Sequence, residues 1–171
     1  MAPKVHGPSA KQLELPILIF GPLEVRRLAR ELEALEEYIE QSEIREPGKQ
    51  PALPKTSRLL DALAANNNLN LLVDDSRKTL KSFLAEIDQK APVIHISFAT
   101  DPSSAFTAKI VAWLRTNIHP YALLHLGLQP SIAAGCIVRT SNKSFDFSLR
   151  NRFYEQRALL LEAIGGSVGK L

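Results

Sequence analysis

The first long pattern of apolar positions begins after the turn-forming pair Gly21-Pro22. Proline is well tolerated at the first position of a helix, because its missing N–H would be unpaired there in any case. The apolar residues that follow are spaced 3, 4, 3 and 4 apart, which predicts a helix to about Ile44 with one narrow seam. The seam consists of Val25, Leu28, Leu32, Leu35 and Ile39. So narrow a stripe requires a partner helix, either from this chain's own bundle or from another protein.

The charges on this helix are ordered against its dipole. Arginines (Arg26, Arg27 and Arg30) stand at its start and glutamates at its end, whereas helices favour acidic residues first and basic residues last. Two interpretations remain open. The charged side is a solvated face, or it is covered by a basic surface that relieves the repulsion between Glu36 and Glu40.

Two shorter helices are predicted after a proline-rich linker at residues 46–55. The first extends through Ala65 and is ended by a run of asparagines. The second covers about Ser76 to Asp88, with an apolar face of Leu80, Phe83, Leu84 and Ile87. Residues 1–14 are polar and are expected to be mobile, so residues 15–90 form a small helical domain.

The period of the pattern changes to two after Pro92, which predicts strands. Ile94, Ile96 and Phe98 fall on one side of the first strand and His95 on the other. Further strands are expected at 122–128 and 135–140, and the polar residues 141–144 turn the chain back into Phe145 to make a hairpin.

Two helices accompany these strands. Asp101-Pro102 supplies a cap and a first-turn proline for a helix to Asn117, and Ser148 is placed to cap a last helix through Ile164. The residues expected to face the core are Phe106, Ile110, Trp113 and Leu114 in the first, and Leu149, Phe153, Leu160 and Ile164 in the second. Residues 91–171 thus form a βαββα module with a mixed sheet, and the whole chain is predicted to be α+β.

No combination of residues indicates catalysis, a metal or a cofactor. The four histidines are too scattered for a metal motif; only His95 and His125 would share a face, if their strands are neighbours, and two ligands do not make a complete site. Asp74-Asp75 lies in a polar turn that favours solvation over a raised pKa. The apolar run from Leu15 to Phe20 is too short to cross a bilayer, and no secretory signal is expected.

The most basic stretch lies at residues 139–157. Its cations are Arg139, Lys143, Arg150, Arg152 and Arg157. A solvated helix face is the first interpretation, a protein-partner surface the second and nucleic acid the third, since no exposed aromatics are expected between the cations. A small RNA- or ribosome-associated module using this surface is therefore an alternative function.

Several segments of the chain resemble one known family. These are residues 58–72, 94–101, 126–140 and 145–150, and the most specific feature is the pattern Asp146-x-Ser148-x-Arg150 after a small-residue turn at 133–135. Over about residues 56–164 the chain is similar to the delta subunit of F-type ATP synthases, called the oligomycin-sensitivity-conferring protein in mitochondria. The family opens with a six-helix bundle, which is shortened here.

The resemblance implies a non-catalytic stator subunit of a proton-translocating enzyme. It implies that residues 91–171 bind the long b-type subunit of the peripheral stalk, and that the helical domain binds the alpha subunits of the catalytic head. The expected contacts are the 25–39 seam together with Arg150, Arg152, Phe153 and Arg157. It further implies no cofactor, no nucleic acid, and a peripheral position at the cytoplasmic face of a bacterial inner membrane, with the membrane reached only through the complex.

Overall fold

The chain forms two compact units, Met1–Ala91 and Pro92–Leu171. The structure is a computed structural model and describes residues 13–45, 54–157, 159 and 161–162. Most of the predicted mobile start and most of the 46–55 linker lie outside these residues. Helices come first and a mixed sheet second, so the predicted α+β class is confirmed.

Unit 1 contains three helices: α1 (Pro22–Arg45), α2 (Arg58–Asn67) and α3 (Asp74–Lys90). The N-cap of α2 is Ser57, whose hydroxyl accepts a hydrogen bond from the Leu60 N–H at 3.2 Å. Asn68 ends α2 in the left-handed conformation, which asparagine adopts more readily than most residues. The helix is two residues longer than predicted because Asn67 adds a stabilising bond of its own.

That bond comes from the buried carboxamide of Asn67. Its Nδ2 donates to the Leu63 carbonyl at 2.8 Å and to the Glu14 carbonyl at 3.0 Å, and its Oδ1 accepts from the Glu14 N–H at 2.7 Å. A buried amide satisfied in this way is stabilising, whereas an unpaired one would be costly. Asn67 therefore anchors the segment before α1 to the end of α2.

The sheet of unit 2 has the strand order β2-β1-β3-β4. The strands are β1 (Val93–Phe98), β2 (Leu123–Leu128), β3 (Cys136–Arg139) and β4 (Ser144–Asp146). β1 is parallel to β2, antiparallel β3 pairs with its other edge, and β3 and β4 form the predicted hairpin. The parallel pair requires a crossover, which helix α4 (Ser104–Asn117) provides.

The two faces of this sheet differ in polarity, as the alternation predicted. Ile94, Ile96 and Leu124 are buried on one face, where the ring of Phe98 contacts that of Phe106 in α4 at 6.0 Å between centroids. The opposite face exposes the histidines of β1 and β2 and an arginine of β3. The sheet therefore has one apolar face packed inward, while its other face carries exposed polar side chains next to the buried Leu123.

The predicted start and inner face of α4 were wrong. Its N-cap is Ser103, whose hydroxyl accepts from the Phe106 N–H at 3.3 Å. The buried residues are Thr107, Val111 and Leu114, so only one of the four residues expected inside was correct. A start two residues later than Asp101 is compatible with the same apolar spacing, and the spacing alone does not determine which stripe meets the sheet.

The last helix is described only in part, because residues 158, 160 and 163–171 lie outside the described residues. α5 spans Leu149–Glu155. Leu149 and Phe153, expected to face the core, are 45% and 57% exposed. The other two residues expected inside, Leu160 and Ile164, lie outside the described residues.

Candidate partner-binding surfaces

The seam of α1 forms the core of unit 1. Its residues are at most 4% exposed, and α1 packs against α3, whose Leu80 and Leu84 are fully buried. The chain itself therefore covers Val25, Leu28, Leu32, Leu35 and Ile39. This burial favours the intramolecular alternative over a docking surface, because a partner would have to displace α3 to reach these side chains.

Charged side chains of α3 form ion pairs with the unusually ordered charges of α1. Lys81 Nζ lies 3.0 Å from a carboxylate oxygen of Glu36, and Arg26 Nε lies 2.8 Å from one of Asp88. The hydrogen bond to Glu36 raises the pKa of Lys81 above its usual value. The two helices are antiparallel, so the start of α1 lies beside the end of α3, and glutamates in the second half of α1 lie beside Lys81. The basic surface anticipated for a partner is thus supplied, at Glu36, by the chain itself.

The cations predicted to contact a partner are exposed at the end of unit 2. Arg150, Arg152 and Arg157 are all exposed, and the guanidinium carbon of Arg150 lies 5.8 Å from the centroid of the Tyr154 ring, within cation–π range. Phe153 is exposed beside them. All four residues predicted as partner contacts in this stretch are therefore accessible to solvent.

Exposed aromatic rings accompany these cations, contrary to expectation. Phe145 and Phe147 are 45% and 60% exposed and stack on each other, with centroids 6.2 Å apart and planes 13° from parallel. Tyr154 is also exposed. β4 is an edge strand, and no described strand pairs with its outer edge.

The Asp146-x-Ser148-x-Arg150 pattern builds the turn between β4 and α5. Asp146 Oδ1 accepts the Ser148 N–H at 2.8 Å. Hydrogen bonds from the hydroxyl and the N–H of Ser148 hold the pKa of Asp146 below its usual range. Ser148 is buried while Arg150 is exposed, so the first two residues fix the turn and the third faces solvent.

Gly135 lets this turn approach the end of β3. Its φ is +91°, and a Cβ at this position would lie 2.3 Å from the carbonyl oxygen of Phe147. Only glycine adopts this conformation at low cost and leaves that space empty. Backbone bonds from Phe147 N–H to Cys136 and from Leu149 N–H to Ala134, both 2.9 Å, then join the two segments.

An apolar stripe on α4 is the surface that sequence reasoning missed. Phe106, half-buried Ile110 and Trp113 follow one another at helical spacing, and Phe106 and Trp113 are 48% and 60% exposed. At the Phe106 end lies a groove of about 310 Å³. It is lined by Phe98, Ala99, Thr100, Pro102, Phe106, Ala133, Ala134 and Gly135. The apolar spacing was visible in the sequence, but it was assigned to the core.

Asp74 and Asp75 form the first turn of α3 and not a separate polar turn, and Asp74 is engaged in ion pairs. Asp74 contacts Lys78 at 2.6 Å and Arg77 at 3.3 Å, and the hydrogen bond to Lys78 lowers its pKa. A carboxyl group with a lowered pKa is a poor general acid at neutral pH. Arg77 is itself buried and donates to the carbonyls of Leu71 and Leu72, which makes this cluster an anchor for the loop between α2 and α3.

The two histidines considered as a pair do lie on neighbouring strands. β1 and β2 place His95 directly opposite His125, with ring centroids 4.9 Å apart. Among the described residues, no three or more histidine, cysteine, aspartate or glutamate side chains gather in a way that would hold a metal ion. Of the other two histidines, His119 contacts the ring of Tyr121 and His6 lies outside the described residues.

Comparison with protein-family models finds no match for this chain, and comparison with curated proteins finds none either. Across the described residues, every helix falls short of the length and apolar character that crossing a membrane requires.

Proposed function

We propose that this chain is a non-catalytic stator subunit of a proton-translocating F-type ATP synthase, which links the catalytic head to the peripheral stalk and resists rotor torque. The observation that carries the proposal is the large apolar surface that unit 2 exposes to solvent, above all the α4 stripe and its groove. Contiguous exposed apolar side chains in a globular protein mark interaction sites. The resemblance over residues 56–164 supplies the identity of the partners.

Unit 2 is the proposed stalk-binding part. Trp113 and Phe106 offer the aromatic anchors that dominate binding energy in protein interfaces, and Arg150 and Arg152 offer cations of the type enriched there. An amphipathic helix of the stalk's b-type subunit matches such a surface, with its apolar side on α4. The exposed cations then select acidic residues at the edge of that helix.

Unit 1 is the proposed contact for the alpha subunits of the catalytic head. Its seam is internal, so the contact uses outward-facing side chains such as Leu18 and Leu23, which are 51% and 69% exposed. Both lie at the start of the bundle, where α1 begins. Association with the cytoplasmic face of the inner membrane follows only from membership of the complex.

The test is binding of the purified full chain to the soluble part of a b-type stalk subunit, measured by titration calorimetry. Trp113→Ala should weaken binding at least about tenfold, as loss of a central aromatic anchor does. Leu23→Ala is the matched control, because it removes an exposed apolar side chain from unit 1 and should leave the stalk affinity unchanged. No binding by the unaltered chain, together with native mass spectra that lack every ATP synthase subunit, would remove the proposal.

A second function is supported by the exposed aromatic rings among the cations of residues 139–157. Stacked rings such as Phe145 and Phe147, with arginines nearby, are the combination on which unpaired bases stack. An RNA-binding module would lose affinity steeply with added salt, because bound counterions are released from the phosphates. Phe147→Ala should then weaken RNA binding and leave stalk binding intact, whereas Trp113→Ala should do the reverse.

A further inference from the structure

Two imidazole rings lie side by side on the polar face of the unit 2 sheet. His95 and His125 are registered partners on parallel strands, and both are exposed. Their ring planes are tilted by 51° and their centroids are 4.9 Å apart. In the part of the chain that the structure describes, neither ring takes part in a hydrogen bond. Their nitrogens are therefore open to a ligand from solvent.

The separation of the rings fits two bonds to one metal ion. A metal lies about 2.1 Å from an imidazole nitrogen, hence about 3.2 Å from the ring centroid. Two rings at a 90° angle around the ion would have centroids about 4.5 Å apart, and two rings at a tetrahedral angle about 5.2 Å apart, by the same bond length. The observed 4.9 Å lies between these limits. Pairing of β1 with β2 places the Cα atoms of His95 and His125 opposite each other before any ion arrives.

We propose that His95 and His125 form a two-imidazole chelate for a divalent transition ion such as Ni²⁺ or Zn²⁺. Imidazole nitrogen suits these ions and does not suit Mg²⁺ or Ca²⁺, which prefer oxygen. Two rings held on one rigid surface bind far better than either alone, because the second bond forms at high effective concentration. Water completes the coordination, which leaves open positions that face solvent.

The charged neighbour of the chelate is Arg139. It is the registered partner of His95 on β3 and is exposed. Its positive charge opposes a bound cation, but at an exposed position this repulsion is weakened by water and salt. Replacing it with glutamine should therefore tighten metal binding at low ionic strength, with a smaller effect in high salt.

The experiment is titration of Ni²⁺, and separately Zn²⁺, into the untagged full chain by calorimetry. One ion should bind per chain, and an excess of Mg²⁺ should not compete. His95→Ala and His125→Ala should each weaken binding at least about tenfold, because a single imidazole cannot chelate. His119→Ala and His6→Ala are the matched controls and should bind as tightly as the unaltered chain.

Equal binding by the two pair variants and the unaltered chain would overturn the proposal, as would binding that is lost in a control variant instead. Absence of any binding at millimolar metal would overturn it as well. Far-UV circular dichroism checks that the variants fold. A second measurement needs no variant: paramagnetic Ni²⁺ should broaden the imidazole proton resonances of His95 and His125 more than those of His119, and equal broadening of all three would contradict the chelate.

Discussion

The packing of α1 on α3 makes a quantitative prediction for Leu32→Ala. Leu32 is 0% exposed, and its neighbours along the seam, Leu28 and Leu35, are 1% and 3% exposed. Truncation removes buried apolar volume and leaves a cavity, and such changes cost about 2–5 kcal/mol. Because the site is enclosed by the seam on both sides, its collapse is restricted and we expect about 3–4 kcal/mol.

The matched control is Leu23→Ala on the same helix. Leu23 is 69% exposed, so the same chemical change removes little buried area. Surface substitutions of this kind alter stability by no more than about 0.5 kcal/mol. The difference between the two variants isolates burial, because both replace leucine with alanine, which have similar helix propensities.

The assay is urea unfolding of the full chain, monitored by two probes. Far-UV circular dichroism follows the helices, of which unit 1 holds α1, α2 and α3. Fluorescence follows Trp113, the single tryptophan, in unit 2. With a slope of about 2 kcal/mol per molar urea, the dichroism midpoint of Leu32→Ala should fall by about 1.5–2 M.

The outcome that would refute the reasoning is equal stability of the Leu32→Ala and Leu23→Ala variants. That result would mean that the seam is not packed in the free chain and is available to a partner helix after all. A large shift in the Trp113 signal with no change in circular dichroism would also contradict the assignment of Leu32 to the core of unit 1.

Three further predictions concern charge, backbone and thiol chemistry. Lys81→Glu should lower the unfolding midpoint more at low salt than at high salt, because it places like charges beside the glutamates of α1; equal loss at both would contradict the ion pair. Gly135→Ala should destabilise unit 2 by more than about 1 kcal/mol, and Trp113 fluorescence would report this unfolding. Gly127→Ala should have a smaller effect, because the φ of Gly127 is not in the positive range that favours glycine. Burial raises the pKa of Cys136, and the charge of Asp146 raises it further, so alkylation of this thiol at pH 8 should be slow. The alkylation rate should increase in Asp146→Asn, and an unchanged rate would exclude the Asp146 charge as a cause of the raised pKa.

The sequence predicted where the helices and strands lie better than it predicted which side of each helix faces the core. Regular spacing identified α1, α3 and the strands, because a long apolar period has few alternative explanations. The α4 helix shows the limit: Phe106 and Trp113 have the spacing of a core stripe, yet Val111 and Leu114 point inward. Which stripe meets the sheet depends on the crossover between β1 and β2, which is a tertiary property that no local pattern encodes.

The candidate site was predictable in part for the same reason. Arg150 and Arg152 were identified from charge alone, and their exposure needed no tertiary information. The seam at Leu32 was ambiguous, because heptad spacing is the same for an internal and an external partner. The pairing of His95 with His125 required strand order, which the sequence left open.

The central position of β1 has a consequence for the order in which the chain folds during synthesis. Both strands that flank β1 come later in the chain, β2 at 123–128 and β3 at 136–139, so β1 leaves the ribosome with neither edge paired. Unit 1 has no such delay, since α3 ends at Lys90 and all of its partners have by then been made. Nascent chains should therefore acquire protease-resistant helices well before the sheet closes, and the unpaired edges of β1 are where a stalled nascent chain is most exposed to aggregation.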